Sequence, residues 1–292
     1  SKGKFDLKAT NDDGENILHL ACQSGKFELV DYIIKLKQIN IQDKDNNGGT
    51  VLHFATSSGN LDLVKYLLSF KQIDFNSKSG WHETTFLHDI CEKGDLEIVK
   101  HIIAMNQVNL NTLDSKGETI IHYACRSENL DLVKYLISLN VIKITSNGDE
   151  KTLLHAAVES GDLGIVKYIV SLNKIGVNAI DSDHQTALHY ACEKGYYEIV
   201  EYLLSLPGID VNIQDNNDEA PIHCACNSED LELVKLLLQQ DGTDITLIGD
   251  DNKTVLHYAC DDGNLEIAKF LISKHEFDYN ARDSSSKTLL HY

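Results

Sequence analysis

No apolar run in the chain reaches the roughly 18 residues that a membrane-spanning helix needs, so direct membrane insertion is not expected. Basic residues are scarce: 26 Lys and Arg stand against 45 Asp and Glu, a net charge of −19. Phosphate binding draws its affinity from clustered Lys and Arg, so nucleic acid is disfavoured as a partner, and anionic membrane surfaces for the same reason. The opening Ser1-Lys2-Gly3-Lys4 leads into polar residues rather than the apolar core of a secretory signal. No glycine-rich phosphate loop is present. Tryptophan occurs once, as Trp81. Disorder is excluded in turn, because 42% of residues are hydrophobic.

The acidity is uneven. Residues 1–146 hold 19 acidic and 16 basic side chains, net −3, whereas residues 147–292 hold 26 and 10, net −16. Such a field speeds the approach of a cationic partner and repels an anionic one, and salt weakens both effects. Solubility is the plainer reading of the same charge.

Nine histidines each follow an apolar pair, as in Ile17-Leu18-His19, Val51-Leu52-His53, Leu153-Leu154-His155 and Ala187-Leu188-His189. Their spacings are 34, 35, 34, 33, 34, 34, 34 and 34 residues. A period of this length marks a helical repeat array and overrides any domain count taken from length. Thr precedes the apolar pair in seven of the nine units and is a good helix N-cap. Ala two residues after the His and a small residue after that give a short first helix with a thin face. Glycine six residues after the His, as at Gly25, Gly59, Gly94, Gly161, Gly195 and Gly263, suits a left-handed helix end. A second helix shows apolar residues 8, 11, 14 and 15 after the His, for example Leu61, Val64, Leu67 and Leu68, and these are expected to be core. An extended stretch with a polar tip, such as Ile209 to Asp215, completes the unit as a hairpin-like finger.

Units such as Thr186-Ala187-Leu188-His189 with Gly195 and Asp210-Val211-Asn212 resemble the ankyrin repeat family across essentially the whole chain. The resemblance implies an all-α solenoid of helix-turn-helix units joined by β-hairpin-like fingers. It also implies a Thr hydroxyl bonded to the motif His ring, and protein partners docking on the concave face of fingers and first helices. Residues 1–292 are expected to form a single array whose ends both cut through a repeat. Lys4-Phe5-Asp6 aligns with Glu276-Phe277-Asp278, the chain stops at His291-Tyr292, and no polar capping repeat closes it, so a piece of a longer protein is expected. Departures mark irregular steps. Ala220 replaces the capping Thr before Pro221, where fraying is expected. Glu128 and Glu229 replace the turn glycine, and Lys8, Ile144 and Thr246 replace the finger Asn. The first finger, Asn40 to Thr50, is two residues longer than most, and the second, one longer, carries Trp81 and His82.

Six cysteines, Cys22, Cys91, Cys125, Cys192, Cys226 and Cys260, recur three residues after the His. Stacked helices lie about 8–10 Å apart, beyond the roughly 7 Å Cα separation a disulfide tolerates. Buried reduced thiols and an intracellular, cytoplasmic setting are therefore expected. Recurrence of His and Cys in one register argues for a fold position rather than a metal site, since zinc needs four converging ligands. No metal, cofactor or catalytic centre is expected, and no nucleophile with a separate His and acid stands out. Asp43 to Gly48 matches half of a calcium loop, but the twelfth position is Phe54 rather than Glu, so a polar turn explains it better. Lys65, Lys100, Lys134, Lys167 and Lys235 recur on the solvated side of the second helix, facing local acids or water.

The residue after the motif His is aromatic at Phe54, Tyr123, Tyr190, Tyr258 and Tyr292. By the resemblance that position faces the groove, where Tyr would make a contact hot spot; packing between repeats is the competing reading. Four residues after the His stand Glu159, Glu193 and Asp261, the last followed by Asp262, and Tyr beside carboxylates suits an Arg- or Lys-rich peptide. The candidate partner-binding residues are thus Trp81, His82, Tyr123, Glu159, Tyr190, Glu193, Tyr258 and Asp261. A basic segment is expected to lie along Tyr190, Glu193, Tyr258 and Asp261, and Trp81 is either a contact anchor or tucked onto its own hairpin. A protein-interaction module or scaffold is the leading reading, with a structural or elastic spacer in a larger protein as the alternative.

Overall fold

Short helices of seven to nine residues are marginal alone, and this chain holds them by packing each against the next repeat. The computed structural model describes residues 6–141, 147–261, 263–274 and 278–292. The finger position Ile144 and the aligned residues Lys4-Phe5 and Glu276-Phe277, with Asp262, fall outside the described residues.

The chain divides into two units, Ser1–Gly148 and Asp149–Tyr292. In the first, helix pairs follow one another as α1 (Ile17–Gln23) and α2 (Phe27–Lys35), α3 (Val51–Ser58) and α4 (Leu61–Leu68), α5 (Phe86–Glu92) and α6 (Leu96–Ala104), and α7 (Ile120–Cys125) and α8 (Leu130–Ser138). The second unit repeats the plan as α9 (Leu153–Glu159) and α10 (Leu163–Ser171), α11 (Ala187–Glu193) and α12 (Tyr197–Leu204), α13 (Pro221–Asn227) and α14 (Leu231–Gln239), and α15 (Val255–Asp261) and α16 (Leu265–Ser273). A last helical turn, Leu289–His291, closes it. Two fingers pair as short antiparallel hairpins: β1 (Lys78–Ser79) with β2 (Thr84–Thr85), and β3 (Ile248–Gly249) with β4 (Lys253–Thr254). The helical repeat expected from the sequence is the one observed. Among the described residues no helix is long and apolar enough to cross a membrane.

First helices bury the thin face that the sequence set out, with Ala21, Cys22, Ala124, Cys125, Ala191 and Cys192 all enclosed. In the second helices the buried stripe differs from expectation by a small rotation. Leu63, Val64 and Leu67 are buried while Leu61 is only half-buried, and Leu265 is 61% exposed. The position eight after the His is the first residue of its helix, beside the cap, so the stripe begins two residues later and continues at three- and four-residue steps.

The irregular steps are accommodated locally. Helix α13 begins at Pro221 like its counterparts, so the expected fraying is not found. Ala220 has no hydroxyl, but its backbone N–H still donates to His223 Nδ1 at 3.0 Å, and Pro at the first helical position has its φ already set. The turn glycines take φ between 66° and 73°, and Glu128 and Glu229 are held in the same left-handed region at 58° and 61°, a conformation that costs an L-residue about 1–2 kcal/mol.

Candidate functional site: fingers and first helices

The motif histidine is a strut. Its Nδ1 accepts the backbone N–H of the capping residue three positions earlier, at 3.0 to 3.2 Å in every repeat from Asn16–His19 to Thr288–His291. Thr hydroxyls lie 2.8 to 3.1 Å from the same nitrogen, as the resemblance implied. Because a backbone N–H can only donate, Nδ1 must be unprotonated and Nε2 carries the hydrogen. In four repeats Nε2–H then reaches a carbonyl of the following finger, Asp43 from His19 at 3.0 Å, Gln185 from His155 at 3.0 Å, Glu219 from His189 at 3.1 Å and Leu247 from His223 at 3.2 Å, whereas Nε2 of His88 and His257 is buried without a partner at that distance among the described residues. Adding a proton would set two N–H groups against each other. Burial accordingly pushes His53 and His223 down to about 4, with His88, His155, His189 and His257 lowered for the same reason. These six rings therefore stay uncharged near neutrality.

Four fingers turn on an aspartate side chain. Asp114 Oδ1 accepts the N–H groups of Lys116 and Glu118, Asp181 those of Asp183 and Gln185, and Asp215 those of Asn217 and Glu219. Asp45 does the same for Asn47 and Gly49, so the partial calcium-loop match at Asp43 to Gly48 is a polar turn. Finger tips are tied in series within each unit: Asn46 N–H to the Asp13 carbonyl at 2.9 Å, Gly80 to Asn47 at 2.9 Å, Ser115 to His82 at 2.7 Å, Ser182 to Asp149 at 2.8 Å and Asn216 to Asp183 at 2.9 Å. This approach needs glycine at Gly117, where φ is 77° and a Cβ would sit 2.6 Å from the Gly148 nitrogen.

The candidate residues part company here. Tyr123, Tyr190 and Tyr258 are only 7%, 8% and 6% exposed. Their rings lie on the preceding motif histidines, His88, His155 and His223, with centroids 5.0, 5.4 and 5.1 Å apart. Their hydroxyls donate to Asp114 at 2.8 Å, Asp181 at 2.7 Å and Glu219 at 2.6 Å. Of the two readings of these tyrosines, packing between repeats is what the side chains do. The acids are partnered as well: Glu159 with Lys151 at 2.9 Å, Glu193 with Lys194 at 3.1 Å and Asp261 with Lys253 at 2.6 Å. Trp81 is 93% exposed, at the turn of the β1–β2 hairpin beside exposed His82, so it is not tucked onto its own finger.

Two features escaped the sequence reading. Oppositely charged residues stand four before and four after a motif His and meet across the tyrosine ring. Arg126 lies 4.6 Å from the Tyr123 centroid and grips Glu118 at 3.1 and 2.7 Å; Lys151 lies 4.7 Å from Tyr190. Burial works against the Glu118 carboxylate, yet Arg126 holds it below the ordinary range. The eight-residue spacing of Glu118 and Arg126, Lys151 and Glu159, and Lys253 and Asp261 was the available signal. The second feature is Asp89, which occupies the tyrosine position in its repeat and, among the described residues, has no Lys or Arg at ion-pair distance; burial, with Glu92 adding, raises it to about 6. Its signal was the alternation of small and aromatic residues after the His: Asp89 then Tyr123, Ala156 then Tyr190, Cys224 then Tyr258.

Six of the seven thiols are buried, and burial pushes Cys22 and Cys125 up to about 12, far from the reactive thiolate form. No curated protein matches the chain. A family model for ankyrin repeats, three copies long, matches residues 3–79, 87–181, 141–215 and 206–283. Proteins built of such repeats are generally interaction modules, and with the Thr–His struts, the fingers and these matches together, the chain belongs to the ankyrin repeat family.

Proposed function

We propose that the chain binds a partner protein on its fingers and first helices, and that Trp81 is the anchor of that contact. The observation that carries this reading is an indole left 93% exposed on a finger whose neighbours hold it in place. Gly80 N–H donates to the Asn47 carbonyl and Ser115 N–H to the His82 carbonyl, so both sides of the turn are tied to adjoining fingers. A preorganised Trp binds at low entropic cost, and Trp is the residue type most enriched in interface hot spots. Thiols buried in the core, pushed away from the reactive thiolate form as at Cys22 and Cys125, support a reducing, intracellular setting for a scaffold of this kind.

The basic-segment reading of the second half draws on the net −16 of residues 147–292 and on Glu193, whose side chain is 50% exposed. The pairing of Glu159 and Asp261 with lysines leaves it less free charge than the composition suggests. Immobilised protein incubated with lysate of its source cells separates these readings. Loss of the retained partner on Trp81→Ala, with retention by the double reversal Glu193→Lys and Asp261→Lys, supports the finger anchor. The opposite pattern supports the basic segment, and retention of nothing favours the spacer.

A further inference from the structure

Not every step along the first helices is filled by a ring: the residue after the motif His is aromatic at Phe54, Tyr123, Tyr190, Tyr258 and Tyr292 but is Asp89, Ala156 and Cys224 at others. The ring of His19 is covered by Phe54 of the next repeat at 5.0 Å, that of His88 by Tyr123 at 5.0 Å, and that of His257 by Tyr292 at 5.7 Å. Over His53 the corresponding residue is Asp89, too short to cover an imidazole. A cavity of about 240 Å³ opens in that place, bordered by Asp45, His53, Phe54, Gly80, Thr84 and Asp89. His53 Nε2 lies 3.4 Å from the Thr84 carbonyl. The empty space is therefore a ring slot that the chain does not fill.

Neighbouring steps show what such a slot accepts. At Tyr123 a ring, a carboxylate and a cation come together, as Arg126 lies over the ring and grips Glu118. The set recurs as Tyr190, Glu159 and Lys151, and as Tyr258, Asp261 and Lys253. The His53 step offers a ring, Phe54, and two carboxylates, Asp45 and Asp89, but among the described residues no Lys or Arg lies within ion-pair distance of either. Lys93, the residue that caps the end of the Asp89 helix, gives its ammonium to the Thr56 carbonyl instead. The missing member of the set is the cation.

We propose that this slot receives an arginine side chain of the bound partner, its guanidinium lying against Phe54 and pairing with Asp89 and Asp45. The inference rests on the protein-binding reading and narrows it to one partner side chain. A planar guanidinium suits a space shaped for a ring and can bond a carboxylate with two parallel N–H groups, whereas an ammonium is a strongly hydrated point charge. His53 does not oppose it, since burial keeps that ring neutral. Asp89 is raised by burial with only Thr84 and Lys93 opposing, the condition that an arriving cation relieves, as Arg126 does at Glu118. Gly80 borders the slot and Trp81 follows it directly, so a partner resting on Trp81 reaches the slot with a neighbouring residue.

The test titrates the whole chain with acetyl-arginine amide at neutral pH, following backbone amide shifts by NMR, with the uncharged acetyl-citrulline amide alongside. Saturable shifts at Phe54, Thr84 and Asp89 with a Kd on the order of 1 mM are expected, and binding at least about tenfold weaker for citrulline. Asp89→Asn should weaken arginine binding by about tenfold or more. Asp89→Tyr, which supplies the ring found at the neighbouring steps, should abolish it without lowering the melting temperature. Trp81→Ala should leave amide binding unchanged. Absence of saturable shifts at these residues, equal binding of citrulline, or unaltered binding by both Asp89 variants would overturn the proposal. If Trp81→Ala removed the partner while the slot took no arginine, the interaction reading would stand and this inference would fall; selective arginine binding by a protein that retains no partner would do the reverse.

Discussion

The two halves of the chain carry their charge in opposite ways. Residues 147–292 hold a net −16, yet Glu159 and Asp261 on their first helices are matched by Lys151 and Lys253. Residues 1–146 are nearly neutral at −3, yet they leave Trp81 in water and, among the described residues, Asp89 without a cation at ion-pair distance. Net charge sets the field felt at a distance, and so the rate of approach. A contact is set by which groups still lack a partner, and in the more highly charged half the first-helix acids Glu159 and Asp261 already have one.

Six substitutions, in four groups, would break or sharpen this comparison. The largest effect is expected at the filled slots. Tyr190→Ala removes a buried ring and leaves Asp181 short of a donor, costing about 3–5 kcal/mol in urea denaturation, while Tyr190→Phe costs about 1–2 kcal/mol. A tyrosine held out for a partner would give no change in either midpoint. Next comes the empty slot. Burial raises the folded-state Asp89 to about 6, so the folded protein favours the protonated acid. The stability this brings is fully present below the ordinary carboxylate range and is lost as pH rises through about 6. Asp89→Asn should therefore stabilise by roughly 1–3 kcal/mol above that pH and by almost nothing in acid, as read from melting across a pH series. A third, smaller effect belongs to the left-handed turns. Glu128→Gly and Glu229→Gly should each raise stability by about 1 kcal/mol, because glycine takes that φ without steric cost. The smallest is expected at a surface pair: Asp261→Asn, which breaks a contact to Lys253 with the acid 45% exposed, should cost under about 1 kcal/mol and less in salt.

Most of the fold was legible because it rests on local chemistry repeated nine times. The Thr and His of each unit, the small residues after them and the turn glycines name the first helix, its cap and its end without reference to any other repeat. The second-helix stripe was read slightly out of phase because Leu61 and its counterparts are apolar without being core: helix start and helix face overlap there, and only packing separates them. The tyrosines were found but not their burial, since whether a ring at that position leans into the groove or onto the preceding His depends on how closely repeats stack. Asp89 was passed over because a lone acid has no meaning until the rings on either side of it show what it replaces. Trp81 alone was legible as a candidate from its rarity, and its exposure came only with the geometry of the lengthened finger.

The most direct test of the claim that the available contact lies on the first-half fingers is parallel retention of source-cell partner proteins by three immobilised forms: wild type, Trp81→Ala, and Glu193→Lys with Asp261→Lys. The account predicts that the partner is lost from the Trp81 variant, kept by the charge-reversed form, and little affected by added salt. A partner kept by Trp81→Ala but lost on charge reversal and in high salt would contradict it, and would return the binding site to the acidic second half.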